Sequence, residues 1–365
     1  MAEINIPNPQ LWQERLADLA AVRPAVIESP LVEVPAPGDG NNRLLIKCEQ
    51  YQAIRSFKIR GAMIAMTSDL ESLRKTGVVA DSGGNHSQAV AQAGAELGVP
   101  VQIIMAAVVP PNKVAATRKF GATDGSFSLD NTPESFVIAK QRAKQVAIDE
   151  HKKYLSPYDD PAIVRGTATL VPEIVGQLAD KQWAMPDAVH IPIGGGGLIS
   201  GIADVNAEQN HLFDLFGYGI TGADSAARSL RAVREHGATE PAVVEGDVNL
   251  DAEGLAVWRI GDELFARIKD GKIDDIHTVP NLAPVGAAYK WYIDTVMPAL
   301  GIDTSDKTAV WDNLPEVSSM VTVAGVFEHL KQTNASNQTH LILISGSNTD
   351  EQSYQHTMDA YEASV

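Results

Sequence analysis

Short runs of buried-strand character alternate along the chain with amphipathic helical runs, and this alternation restricts the fold more than any other feature. Residues 77–82 (GVVADS), 100–105 (PVQIIM), 188–193 (AVHIPI), 217–224 (GYGITGAD) and 340–345 (HLILIS) are apolar and often β-branched, as strands covered on both faces are. After the first of them, Ala89, Val90, Ala93 and Leu97 recur at helical spacing, and Gly98 follows as a stop. Strand, helix, strand in succession predicts parallel sheets with helices on their faces. No internal repeat, low-complexity segment or Gly/Ser linker divides the chain.

Parallel sheets place ligand sites at the carboxyl ends of their strands, where the next helices begin. Three glycine-rich or polar clusters fall at such ends: SGGNH (82–86), GGGGLISG (194–201) and SGSN (345–348). Four successive glycines from Gly194 to Gly197 remove every side chain between a strand end and a helix start, so backbone N–H groups can converge on an anion such as a phosphate. A plain tight turn is the bland alternative. At this run neither the Walker pattern nor G-x-G-x-x-G fits, because Ile199 and Ser200 stand where a further glycine is required. The loop Ser82, Gly83, Gly84, Asn85 and His86 forms a second nest, suited to a carboxylate. Asn85 or Ser82 would otherwise serve only as a helix N-cap.

Composition narrows the partners. The 365 residues are 44% hydrophobic and 21% charged, enough for two ordinary domains with a buried core. Lys and Arg total 29 against 46 Asp and Glu, for a net charge of −17, which argues against nucleic acid or an anionic membrane as partner. Cys48 is the single cysteine, so an internal disulfide and a thiolate-rich zinc site are excluded. No apolar run approaches the ~20 residues of a membrane span, and the first residues lack a basic-then-apolar leader. A cytoplasmic protein is expected.

The ordered segments SFKIRGA (56–62), SGGNHSQAVA (82–91), KVAATRKFGA (113–122), IPIGGGGLISG (191–201), DAEGLAVWRIGDE (251–263) and ISGSN (344–348) resemble the pyridoxal-phosphate enzymes of the tryptophan-synthase fold type, in particular the threonine/serine dehydratase and serine racemase branch. The resemblance runs from about Leu31 to Asn348. It implies two doubly wound α/β domains with pyridoxal 5'-phosphate in the cleft between them, a smaller domain of residues 69–157 being inserted into a larger one of 1–68 plus 158–365. It further implies that Lys58 carries the cofactor as a Schiff base and acts as the catalytic base, with Phe57 beside the cofactor. Asn85 would meet the ring hydroxyl, Gly194, Gly195, Gly196, Gly197 and Leu198 the phosphate, and Ser345 the pyridine nitrogen. Ser82, Gly83, Gly84, Asn85 and His86 would take the carboxylate of a small amino-acid substrate. A homodimer or other homo-oligomer is expected. Only 20 residues follow Ser345, so an appended regulatory domain is not.

The residue chemistry agrees with these roles. A lysine about one turn into a helix would ordinarily be solvated; Lys58 near Arg60 in a dry pocket would lose pKa and become a nucleophile. A serine hydroxyl at Ser345 leaves the pyridine nitrogen unprotonated, which weakens the electron sink and favours prompt loss of a β leaving group. The chain also departs from the branch. Ala283 stands where relatives carry an acid before Pro-[SA]-G-A, and Ala223 where some carry an acidic metal ligand, with Asp224 nearby as a helix cap, so no metal is expected. The segment 303–319 is an addition with no sequence reading. The racemases of this branch use a serine where Gly83 stands, so elimination without racemisation is expected. Three functions follow: an amino-acid ammonia-lyase, a β- or γ-replacement enzyme, or a non-catalytic small-molecule-binding protein on the same fold.

Overall fold

A computed structural model describes residues 4–38 and 41–365. Among the described residues ten strands form two sheets. The larger contains β1 (Leu31–Pro35), β2 (Arg43–Cys48), β7 (Ala188–Pro192), β8 (Asp214–Ile220), β9 (Asp275–Val279) and β10 (Thr339–Ile344), in the order β1-β2-β10-β7-β8-β9. It is parallel except for β1, which pairs antiparallel with β2. The smaller, β5-β4-β3-β6, is parallel throughout and contains β3 (Val78–Asp81), β4 (Val101–Ile104), β5 (Phe127–Asp130) and β6 (Lys153–Tyr154). Among the described residues no helix is long and apolar enough to cross a membrane.

The apolar runs at 77–82, 100–105, 188–193, 217–224 and 340–345 all contain strands, and the helix Asn85–Leu97 stops at left-handed Gly98, φ +65°. The strands that sequence reading did not mark are mostly edges. β1, β5, β6 and β9 alternate or stay half-exposed, so none shows the continuous apolar run of a covered strand. β2 is covered, but Lys47 interrupts its apolar pattern. All four strands of the smaller sheet lie within 69–157. Its core nevertheless recruits Ile59, Ala62 and Met63 from the helix Lys58–Thr67 and Ile163 from the helix Pro161–Thr167. Lys58 is the first residue of its helix, not one turn in.

Lys47 belongs to a buried ion network. Its Nζ donates to Glu173 Oε1 (2.6 Å), Gln177 Oε1 (2.8 Å) and the Ser29 carbonyl (2.8 Å). Arg60 grips Glu49 through two bonds of 2.8 Å and donates to Glu173 Oε1 at 2.8 Å, while Ser29 Oγ donates to Glu49 Oε1 (2.6 Å). Lys47, Glu49, Arg60 and Glu173 are all fully withdrawn from solvent. Burial alone would raise the Glu49 carboxyl; Arg60 outweighs it and holds the pKa at about 2. Arg23, a third exposed, joins from the rim with Nη1 3.0 Å from Glu173 Oε2, so loss of Arg60 leaves Glu49 as a buried charge without its bidentate partner. Arg60→Met is expected to destabilise the fold by about 3–5 kcal/mol, read from the urea midpoint; a loss below about 1 kcal/mol would contradict the network.

At mid-sheet, His190 of β7 bonds Tyr218 Oη (2.9 Å) and His340 Nδ1 (3.0 Å), with His277 and His329 within ring-stacking range of the same group. Burial lowers the pKa of each; His340 reaches about 4, helped by His329 and opposed by Asp187. The unfolded histidines titrate near 6.5. The unfolded state therefore binds more protons once pH falls below that value, and stability is lost from there toward pH 4. Urea midpoints measured from pH 7.5 to 4.5 should fall steadily below pH 6.5; a flat profile would contradict this.

Candidate active site

The turn before Lys58 is stitched to the end of β10. Phe57 N–H donates to the Ser345 carbonyl (3.0 Å), Ser347 N–H to the Arg55 carbonyl (2.9 Å) and Arg55 Nε to Ser347 Oγ (3.0 Å); Arg55 itself is left-handed, φ +58°. Residues almost at opposite ends of the sequence thereby share one site. Lys58 is half-buried, its Nζ donates to the Pro157 carbonyl (2.8 Å), and it lies 5.2 Å from the Phe57 ring centre. Burial lowers its pKa to about 8, opposed by the charge of Glu316. Arg60 takes no part in that shift, contrary to the sequence expectation, because its guanidinium is committed to Glu49 and Glu173 on the far side of the helix.

The glycine turn meets the start of the helix Gly197–Glu208, with Gly196 at φ +104° as its N-cap and no side chain capping it. The first N–H groups of that helix have no partner within it, and the turn is bare of side chains, as a phosphate requires. The four glycines also serve packing. A Cβ on Gly195 would overlap the Tyr158 ring, one on Gly196 the Leu264 side chain, and one on Gly194 would press on the Gly254 carbonyl. Valine at Gly195 or Gly196 would therefore damage the fold as well as any phosphate nest.

In the second nest Gly84 precedes the helix Asn85–Leu97, again without a side-chain cap. Asn85 is not a capping residue: its Nδ2 donates to Glu316 Oε1 (2.7 Å), and its Oδ1 accepts from Asn348 Nδ2 (2.6 Å). Ser82 Oγ accepts from Gly84 N–H (3.2 Å), shaping the turn. His86 is buried with Nε2 3.0 Å from the Leu155 carbonyl, so Nε2 carries the proton. Burial and then the charge of Lys58 push its pKa down to about 3. Its neutral ring ties the loop to the chain beyond β6, leaving backbone to face a substrate.

Ser345 ends β10 with its Oγ 3.0 Å from Ser319 Oγ. Ser319 Oγ accepts the N–H groups of Ser345 and Gly346 (both 3.1 Å), and its own proton has two acceptors in reach, Ser345 Oγ and the Gly346 carbonyl (3.2 Å). When it goes to Ser345 Oγ, Ser345 is free to donate its own proton to an acceptor such as an unprotonated ring nitrogen. Ser319 and Glu316 both come from the segment 303–319, in which the helix Lys307–Asn313 leads into the helix Val317–Thr333. Sequence reading assigned neither, and their one local signal was their place in an addition. The segment docks on the Lys58 loop: Tyr51 Oη donates to Asn313 Oδ1 (2.8 Å) and Arg55 Nη2 to the Asp312 carbonyl (2.6 Å). Asp224 stands at the start of the helix Ser225–His236, but its carboxylate accepts from Arg228 Nε (3.0 Å) and caps no N–H.

A half-buried lysine amine of lowered pKa, a bare glycine cradle at a helix start, an amide N–H donor and a serine hydroxyl fit the aldehyde, phosphate, ring hydroxyl and ring nitrogen of pyridoxal phosphate. The comparisons with known proteins agree. The sequence model of the family "Pyridoxal-phosphate dependent enzyme" matches residues 22–283. The chain is 32% identical over 309 residues to the biosynthetic L-threonine dehydratase of Haemophilus influenzae, covering 84% of this chain and 53% of that one. It is 31% identical over 346 residues to a chloroplastic threonine dehydratase of Solanum lycopersicum, covering 94% and 52%. The chain thus spans about half the length of these curated relatives. Among solved structures it is similar to the processed threonine deaminase isoform 2 of Solanum lycopersicum (TM-score 0.76, 27% identity, 99% and 97% covered) and to serine racemase of Dictyostelium discoideum (0.73, 25%, 93% and 98%). Sequence, fold and site agree that this chain belongs to the pyridoxal-phosphate dependent enzymes of the tryptophan-synthase fold type.

Proposed function

We propose that the chain is an amino-acid ammonia-lyase, removing the β-hydroxyl of a serine- or threonine-like substrate to give a 2-oxo acid and ammonia. The relatives named threonine dehydratase support this reading. The observation that carries it is the one-sidedness of the site. Lys58 offers an amine whose pKa lies near 8, whereas Gly83 has no side chain, and a Cβ there would meet Val109 and Phe136. Inversion at Cα needs an acid/base on each face.

In this reading Lys58 Nζ anchors the cofactor and, freed by the substrate amine, takes the proton from Cα. Bound pyridoxal phosphate supplies the electron sink that makes that proton acidic. Asn85 Nδ2 donates to the ring hydroxyl, Phe57 flanks the ring, the backbone from Gly194 to Leu198 holds the phosphate, and Ser345 donates to the ring nitrogen. The loop from Ser82 through Gly83, Gly84 and Asn85 to His86 holds the substrate carboxylate by its backbone N–H groups. The hydroxyl leaves Cβ with a proton, and water hydrolyses the released enamine to 2-oxo acid and ammonia. Assembly as a homodimer or other homo-oligomer, a cytoplasmic location and the domain division at 69 and 157 belong to the same proposal and rest on the resemblance.

Replacing the anchor tests the cofactor assignment: Lys58→Ala should stay folded yet lose the visible absorbance of the bound cofactor and all turnover. Full activity in that variant would overturn it. For the reaction itself, L-serine and L-threonine are incubated in D₂O without a second substrate. A 2-oxo acid should accumulate while recovered substrate keeps its configuration. Recovered D-serine or epimerised threonine at a comparable rate would contradict the one-sided site, and absence of any 2-oxo acid would favour replacement chemistry or binding alone.

A further inference from the structure

The segment 303–319 carries a carboxylate into the middle of the cofactor site. Glu316 directly precedes the helix Val317–Thr333, and its N–H donates to the Gly346 carbonyl (2.9 Å), which fixes it against the end of β10. Its side chain crosses to the smaller sheet's half of the site, where Oε1 accepts from Asn85 Nδ2 at 2.7 Å. A Cβ on Gly346 would overlap that same oxygen, so the glycine of SGSN is the counterpart that admits the carboxylate.

The hydrogen bonds around Asn85 have one consistent direction. Asn348 Nδ2 donates one hydrogen to the Ile54 carbonyl (2.9 Å) and the other to Asn85 Oδ1 (2.6 Å). An ionised carboxylate only accepts. The Asn85 amide is therefore held with oxygen toward Asn348 and nitrogen toward Glu316, and its second N–H is left to face a ligand acceptor. Glu316 is also the one carboxylate acting on Lys58 among the described residues. The other charged groups bearing on it are Lys113 and Glu253, which pair with each other across the cleft, while His86 stays neutral. Burial raises the Glu316 pKa, with the Asn85 bond opposing, so the ionised group is held there at some cost to stability.

We propose that Glu316 is a positioning residue of the cofactor site: it locks the Asn85 amide with an N–H turned toward the cofactor and supplies the negative charge that steadies a protonated nitrogen at Lys58. The proposal rests on the cofactor reading.

Two variants separate its parts. Glu316→Gln keeps an acceptor for Asn85 but removes the charge; Glu316→Ala removes both. In the reconstituted protein, the pH midpoint at which the visible band of bound pyridoxal phosphate changes should fall by about one unit in Glu316→Gln, since loss of a nearby anion disfavours the protonated nitrogen. Cofactor affinity, titrated by that band, should stay near wild type in Glu316→Gln and drop about tenfold in Glu316→Ala, the equivalent of one hydrogen bond. Without cofactor, Glu316→Gln should melt a few °C higher than wild type, because a neutral amide is not penalised by burial as the carboxylate is; a purely structural carboxylate would give a lower melting point. An unchanged pH midpoint in Glu316→Gln together with unchanged affinity in Glu316→Ala would overturn the proposal. Failure of the wild type to develop a visible band at all would instead overturn the cofactor reading beneath it.

Discussion

The bidentate grip of Arg60 on Glu49, closed through Glu173 and Lys47, is the contact on which the rest of the site depends. Arg60 lies two residues after Lys58 in the same helix, Glu49 directly follows β2, and Glu173 comes from the helix Leu170–Asp180. Four buried charges, with Arg23 at the rim beside Glu173, are tolerable only when each is paired. That requirement fixes the Lys58 helix against the larger sheet while its apolar side, Ile59, Ala62 and Met63, is absorbed by the core of the smaller one. The lysine thus stands on an element shared by both sheets, at the place where they face one another.

From that anchor the site is assembled by hydrogen bonds between distant segments. The Lys58 loop joins the end of β10 through Ser345 and Ser347, and β10 is joined in turn to the helix Val317–Thr333 through Ser319 and Glu316. Asn85 and Asn348 close the circuit across the cleft. The polar groups are chosen by what each can donate or accept, so one substitution is transmitted as a reversed hydrogen bond rather than as a lost contact alone. Such a site holds charge and geometry against the preference of the fold, a common feature where function and stability compete.

Much of this was legible in the sequence because it is local. The covered strands announced themselves as apolar runs, the helix Asn85–Leu97 by its spacing and its glycine stop, and the glycine turn by four successive residues without side chains at a strand end. Lys58, Asn85 and Ser345 were found through ordered motifs, and they do converge. The edge strands were missed because a half-exposed strand of four or five residues has no run to see. Of the two reasons offered for the lowered Lys58 pKa, the dry pocket holds and the neighbouring Arg60 does not: chain proximity put Arg60 beside it, whereas helical geometry turns Arg60 to the opposite side. His86 was assigned to the substrate loop, and the structure commits its ring to the Leu155 carbonyl, so only its backbone N–H is left for that role.

What the sequence by itself determined is the class of fold and the cofactor, with a set of candidate residues to hold it, because periodicity and backbone requirements are properties of neighbouring residues. Only the tertiary structure decided that Glu316 and Ser319 belong to the site, that the glycine turn is packed by Tyr158 and Leu264, and that Lys58 is lowered by burial rather than by a neighbouring cation. Those are facts of desolvation and of hydrogen bonds between segments up to 290 or so positions apart, such as Ser347 with Arg55, and such contacts exist only once the chain has closed on itself.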